Sequence, residues 1–251
     1  VAEFLKTEQQ VSLSPDDIIM TCGAAGALNV ILKAVLDPGD EVISPAPFFV
    51  EYGFYADNHG GTLKTVPTNA DFTLDLAGLE AAVTEKTKVV LINSPNNPTG
   101  QIYSAESLAA LGKMLSEKSR AYGRAIYLVS DEPYRKIVFD GIDVPSIFHA
   151  YSETILVTSY SKDISIPGER LGFLAVHPDA ADKATLLGAM ALANRILGFV
   201  NAPALMQRVV ARLQGEQVDV SAYARKRELL CDGLADCGYD FVRPPGAFYL
   251  F

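Results

Sequence analysis

Lys162 closes the string Ser159-Tyr160-Ser161-Lys162, directly after the apolar run Thr154 to Ser159. A lysine held at the end of such a run is only partly solvated. Burial or a neighbouring cation then frees its neutral amine to act as a nucleophile. Arg170 follows eight residues later. It is a permanent cation whose planar fork suits a phosphate dianion. Ser159, three residues before the lysine, offers a hydroxyl to the same anion. A second anion-binding feature lies far upstream, where Gly23-Ala24-Ala25-Gly26 opens a helical pattern just after Ile18-Ile19-Met20. The free N–H groups and dipole of a helix start favour a phosphate, and small side chains let the backbone approach it. A lone lysine beside a strand is ordinarily a surface charge. The whole string is far more specific than its lysine.

These residues need a scaffold, and the periodicity supplies one. Helical patterns run over Gly23 to Leu36, Leu76 to Thr84, Ser104 to Tyr122 (capped by Ser104), Asp179 to Leu197, Pro203 to Leu213 and Val218 to Cys237. Apolar runs that read as strands are Glu41 to Ser44, Thr62 to Val66, Lys88 to Asn93, Ala125 to Ser130, Thr154 to Ser159 and Leu171 to Val176. Pro45 and Pro47 are expected to end the first of these. Continuously apolar strands alternating with helices predict an α/β fold, with a mostly parallel sheet covered on both faces. Chemistry in such sheets gathers at the carboxyl ends of the strands. SPNNPTG (94–100), SDEPY (130–134) and SYSKD (159–163) all lie at those ends, so one pocket is expected to hold all three.

Composition narrows the function classes. The chain has 251 residues, 49% hydrophobic and 20% charged, an ordinary globular balance. Lys and Arg number 21 against 30 Asp and Glu, a net charge of -9, which lacks the basic footprint of a nucleic-acid or anionic-membrane binder. No apolar run reaches membrane-spanning length. The three histidines (His59, His149, His177) have no ligand-like spacing, so no metal site is expected. Three cysteines (Cys22, Cys231, Cys237) cannot all pair internally, and a reduced, cytoplasmic setting is the simpler expectation.

The string SYSKDISIPGERLGF resembles the signature of class I/II aminotransferases, the fold type I enzymes dependent on pyridoxal 5′-phosphate (PLP). SPNNPTG and SDEPY match that family in the same order, and the resemblance runs from about Pro15 to Phe251. It implies that Lys162 forms the internal aldimine with PLP and later moves a proton as base and acid. Asp131 matches the aspartate that keeps the pyridine nitrogen protonated. Tyr134 and Asn97 match the pair that contacts the cofactor's phenolate oxygen. Ser159, Arg170 and the Gly23, Ala24 and Ala25 helix start match the phosphate ligands. Family members often carry a hydroxyl or a lysine at the position of Ala25, so fewer phosphate contacts, or a substitute from elsewhere, are expected here. Phe49, or Phe48 one step away, aligns with the aromatic that stacks on the ring.

The resemblance also implies a division into a PLP-binding large domain (1–215) and the start of a C-terminal small domain (216–251). It implies amino-acid and 2-oxo-acid substrates and a homodimer. Val1 and the abrupt apolar end GAFYLF, itself expected as a strand of the small domain, read as cuts in a longer chain. On that reading the arginine that grips a substrate α-carboxylate lies downstream, and turnover by this piece is expected to be poor. Two other outcomes share these motifs: β-elimination by a C–S lyase, and effector binding in a transcription regulator. Arg195 is expected at the surface, and Arg225-Lys226-Arg227-Glu228 on a solvated helix face.

Overall fold

The computed structural model describes all 251 residues. In chain order, helix α1 (Ala2–Glu8) leads to strand β1 (Ile18–Thr21), α2 (Gly23–Val35), β2 (Glu41–Ala46), α3 (Glu51–Asn58), β3 (Thr62–Pro67) and α4 (Leu76–Ala82). Then come β4 (Thr87–Asn93), α5 (Ala105–Tyr122), β5 (Tyr127–Asp131), β6 (Thr154–Ser159) and the single turn α6 (Tyr160–Asp163). The chain continues through β7 (Gly172–Val176), α7 (Lys183–Ile196), α8 (Ala204–Val210) and α9 (Val220–Asp236).

The strands form one sheet in the order β1-β7-β6-β5-β4-β2-β3. Neighbours from β6 through β3 are parallel, and β7 runs antiparallel to both β6 and β1. The sheet is therefore mostly parallel, as the apolar runs predict. Side chains alternate between its faces. Val90, Ile92, Leu128 and Leu156 join a core of 25 buried residues that includes Leu111 and Leu115 of α5. Val89, Leu91, Val129 and Val157 join a core of 20 that includes Leu28 and Ile31 of α2 and Met190 of α7. The central strands β4, β5 and β6 thus bury both faces, which is why their sequences read as unbroken apolar runs. No helix is long and apolar enough to cross a membrane.

Three sequence expectations are corrected. Pro45 lies inside β2 rather than ending it; pairing with β4 stops at Ile43, so beyond it an absent N–H leaves no gap in that ladder. The terminal GAFYLF run is not a strand: its sole ladder contact is the bridge between Gly246 and Val138. Arg227 is not solvated, because its guanidinium turns onto the Phe139 ring and pairs with Asp140. Helices α1 and α3 have no counterpart in the sequence reading. Only Leu5 is buried in the first, and only Tyr52 and Ala56 in the second, too few to print a helical period.

Candidate active site

The parallel strands β4, β5 and β6 end along one edge of the sheet, so the loops that follow them meet. Asn93 and Asp131 are register partners at the ends of β4 and β5. The Asn93 amide donates to the Asp131 carbonyl at 2.7 Å and accepts from the Asn97 N–H at 2.6 Å. One buried side chain therefore sets the SPNNPTG loop against the SDEPY loop. β7 is antiparallel, so its amino end reaches the same edge. Gly172 pairs with Ser159 on one side and Thr21 on the other. This register brings Arg170, Ser159 and the start of α2 to one corner.

The corner is tight. A Cβ on Gly172 would stand 2.5 Å from the Thr158 carbonyl oxygen and 2.8 Å from the Gly23 carbonyl carbon. Gly23 itself has φ +71°, and the space where its Cβ would lie is 3.2 Å from Arg170 Nη2. Arg170 is held from the other side, Nη1 donating to the Pro167 carbonyl at 2.8 Å. Thr21 Oγ1 donates to the Gly23 carbonyl at 2.9 Å, bracing the turn into α2. A guanidinium thus lies beside the start of a 13-residue helix, whose N-cap Cys22 makes no side-chain cap. Positive charge and an uncapped helix start together suit an anion.

A cavity of about 210 Å³ opens onto this edge. Ala24, Ala25, Phe49, Asn97, Asp131, Tyr134, Ser159, Lys162 and Arg170 all line it. Gly23 is not among the lining residues and lies beside Arg170, which is. Of the two adjacent phenylalanines, Phe49 faces the cavity and Phe48 does not. Phe49 meets Tyr52 edge to face, with centroids 5.6 Å apart. Lys162 is half-buried, with its Nζ 5.7 Å from the centre of the Phe248 ring. Arg195 is exposed on α7 and takes no part in the lining.

Asp131 is the electrostatic centre of the pocket. Tyr52 Oη donates to its Oδ2 at 2.8 Å, while Oδ1 is buried without any partner. Burial pushes its carboxyl up to about 7; the Tyr52 hydrogen bond opposes that shift and the neighbouring Glu132 adds to it. Glu132 points the other way, into a buried network with Ser130 (2.7 Å), Gln9 (3.1 Å) and Arg135 (3.0 Å). Burial and the contact with Tyr249 also raise the Tyr134 hydroxyl, which therefore keeps its proton.

Tyr52, Asn93 and Tyr249 line the same cavity and have no counterpart in the motif reading. Tyr52 falls three residues after Phe49, in a segment with no helical signal. Asn93 reads as the last residue of a strand. Tyr249 reads as part of an apolar terminus. In each case the signal is a contact between segments distant in sequence.

The sequence model of the family described as "Aminotransferase class I and II" matches residues 1–251. A probable aspartate/prephenate aminotransferase from Thermus aquaticus is 35% identical, over 100% of this chain and 64% of its own length. A probable aspartate aminotransferase from Methanocaldococcus jannaschii is 32% identical, over 100% of this chain and 66% of its own length. The crystal structure of an amino transferase from Eubacterium rectale superposes with TM-score 0.97 at 42% identity, covering 99% of this chain and 63% of that one. Thermus thermophilus aspartate aminotransferase with maleate gives TM-score 0.84 at 30% identity, covering 99% of this chain and 64% of that one. The chain thus spans just under two thirds of the length of these relatives. With the family matched over residues 1–251 and a solved amino transferase superposing at TM-score 0.97, the chain belongs to the class I and II aminotransferases.

Proposed function

We propose that the cavity holds pyridoxal 5′-phosphate and that the chain carries the amino-transfer chemistry of a PLP-dependent aminotransferase, moving an amino group from an amino acid to a 2-oxo acid. The observation that carries this is Asp131 Oδ1, a buried acceptor with no donor, in a cavity that also presents an amine and a guanidinium. A buried acceptor left unpaired costs free energy. A protonated ring nitrogen is the donor that would satisfy it. Near pH 7 the ligand-free carboxyl is poised between its two forms, and a cationic N–H beside it would hold it ionised.

The remaining residues fit the same group. Arg170 and the start of α2 suit its phosphate, with Ser159 adding a hydroxyl. Ala25 adds no hydrogen-bonding group, so Arg170 and backbone N–H groups carry most of that anchoring. Phe49 would cover one face of the ring. Tyr134 and Asn97 would donate to the ring oxygen. When bound, the cofactor supplies an electron sink for the negative charge developed at the substrate α carbon. Lys162 is the only lysine lining the cavity. It would anchor the aldehyde covalently and, once released by substrate, its Nζ would take the α proton.

The names of the relatives make aspartate the first donor to try. Two further parts of the reading rest on packing. Val218, Val220, Tyr223 and Ala224 pack against Ile137 and Phe139 of the preceding segment, in a small cluster apart from the two sheet cores, and that separation from the sheet supports a second domain beginning near residue 216. Leu192, Ile196 and Leu205 expose apolar surface on α7 and α8, which supports a homodimer; light scattering tests it.

The chemistry is tested by adding aspartate to PLP-loaded chain. Formation of oxaloacetate and pyridoxamine phosphate in equal amounts supports amino transfer. Pyruvate, ammonia and a thiol released from an S-substituted cysteine, with no pyridoxamine phosphate formed from aspartate, is what a C–S lyase gives and contradicts it.

A further inference from the structure

The cavity wall holds a tyrosine pair whose second member has no role in the reading above. Tyr249 Oη lies 2.6 Å from Tyr134 Oη, and both side chains line the cavity. Their rings meet edge to face at 5.5 Å, and Phe248 packs against both, at 5.3 Å from Tyr134 and 5.0 Å from Tyr249. The segment is pinned at its backbone. Ala247 N–H donates to the Ile137 carbonyl at 2.8 Å, and Gly246 N–H to the Gly100 carbonyl at 3.0 Å. Tyr249 is therefore tied both to the loop of Asn97 and to the segment following Tyr134.

A neutral hydroxyl has one proton to give and two lone pairs to receive with. Within a pair of hydroxyls, one donates and the other accepts. Donation from Tyr134 to Tyr249 would leave Tyr134 nothing to offer the cavity. Donation from Tyr249 to Tyr134 frees the Tyr134 proton to point inward. An anionic oxygen in the cavity selects the second arrangement, because a hydrogen bond to an anion is the stronger one and polarises the donor behind it.

We propose that Tyr249 is a positioning residue: its hydroxyl donates to Tyr134 and so commits the Tyr134 proton to the anionic ring oxygen of the bound cofactor. The proposal rests on the PLP reading and extends it to a residue beyond the three family motifs. The donor chain stabilises negative charge on that oxygen. It therefore lowers the pH at which the chromophore of the bound cofactor loses its proton.

The test is a pH titration of the absorption spectrum of PLP-loaded wild type, Tyr249→Phe, Tyr134→Phe and the double variant. Phenylalanine keeps the ring packing and removes only the hydroxyl. The midpoint is expected to rise by about 0.5–1 pH unit in Tyr249→Phe, the size of one hydrogen bond. It should rise further in Tyr134→Phe, and no further in the double variant than in Tyr134→Phe alone. An unmoved midpoint in Tyr249→Phe overturns the proposal, as does an equal shift from Tyr249→Phe in both backgrounds. Should Tyr249→Phe not fold, a crystal structure of the loaded wild type decides: hydroxyls still within hydrogen-bond distance support the proposal, and separated ones overturn it. A wild type with no Lys162-dependent cofactor band defeats the PLP reading itself, and this proposal with it.

Discussion

Tyr52 Oη donates to Asp131 Oδ2 at 2.8 Å and leaves Oδ1 of the same carboxyl free. The tyrosine thereby decides which oxygen remains available to a ligand. Replacing it with phenylalanine would strand a second buried oxygen and raise the Asp131 carboxyl further, since the Tyr52 bond is what opposes the upward shift. Tyr52→Phe is expected to weaken PLP binding about tenfold, the equivalent of one buried hydrogen bond to a charged group. Equilibrium titration of the cofactor absorbance measures it, and unchanged affinity would show that Tyr52 does not orient the carboxyl.

The raised Asp131 carboxyl makes the stability of the ligand-free chain depend on pH. Its folded value of about 7 lies above the ordinary 3.8. Between those values the folded chain binds the extra proton. The stabilisation is complete below the lower value and is lost as pH rises through the upper one. Asp163, pushed up to about 6 by burial, acts in the same direction. The ligand-free chain is expected to be less stable at pH 8 than at pH 5, by on the order of a few kcal/mol. Asp131→Asn should remove much of that difference. Urea denaturation of both chains at the two pH values checks this; an identical pH slope in the variant would contradict it.

Gly172 permits the close approach that forms the anion corner. A methyl there would collide with the Thr158 carbonyl and the Gly23 backbone. Gly172→Ala is expected to destabilise the chain by about 1–3 kcal/mol and to weaken phosphate-dependent binding more than the fold. Thermal melts with and without PLP separate the two effects. A variant that melts and binds like the wild type would mean that the corner is looser than its distances indicate.

Glu132 is buried and relies on Arg135 as its counter-cation. Arg135→Ala would leave that charge uncompensated, at an expected cost of about 3–5 kcal/mol. Arg135→Met with Glu132→Gln should recover much of the loss, because the uncompensated charge is then gone. Denaturant midpoints of the single and double variants test this, and a single variant within experimental error of wild type would contradict it.

Much of the fold was legible because the central strands are buried on both faces and print as apolar runs. The paired cores above and below Val89 to Ile92 are the structural counterpart of that pattern. The edges of the reading blurred where a neighbour decides the outcome. Pro45 stays in β2 because the β4 ladder has already stopped, a fact about a different segment. Arg227 sits in a run of charges, yet turns inward because Asp140 and Phe139 happen to lie beneath it. The site followed the same rule. Lys162, Asp131, Tyr134, Asn97 and Arg170 lie in local strings that a sequence displays. Tyr52, Asn93 and Tyr249 act by touching those residues across 79, 38 and 115 positions respectively, and no local pattern announces them.

The covalent role proposed for Lys162 is the central claim. The most direct measurement is peptide mapping by mass spectrometry after PLP loading and borohydride reduction, on wild type and Lys162→Ala. A reduced cofactor adduct on Lys162 in the wild type, absent from the variant, is the expected result. An adduct on another lysine, or one that forms to the same extent in Lys162→Ala, would contradict it.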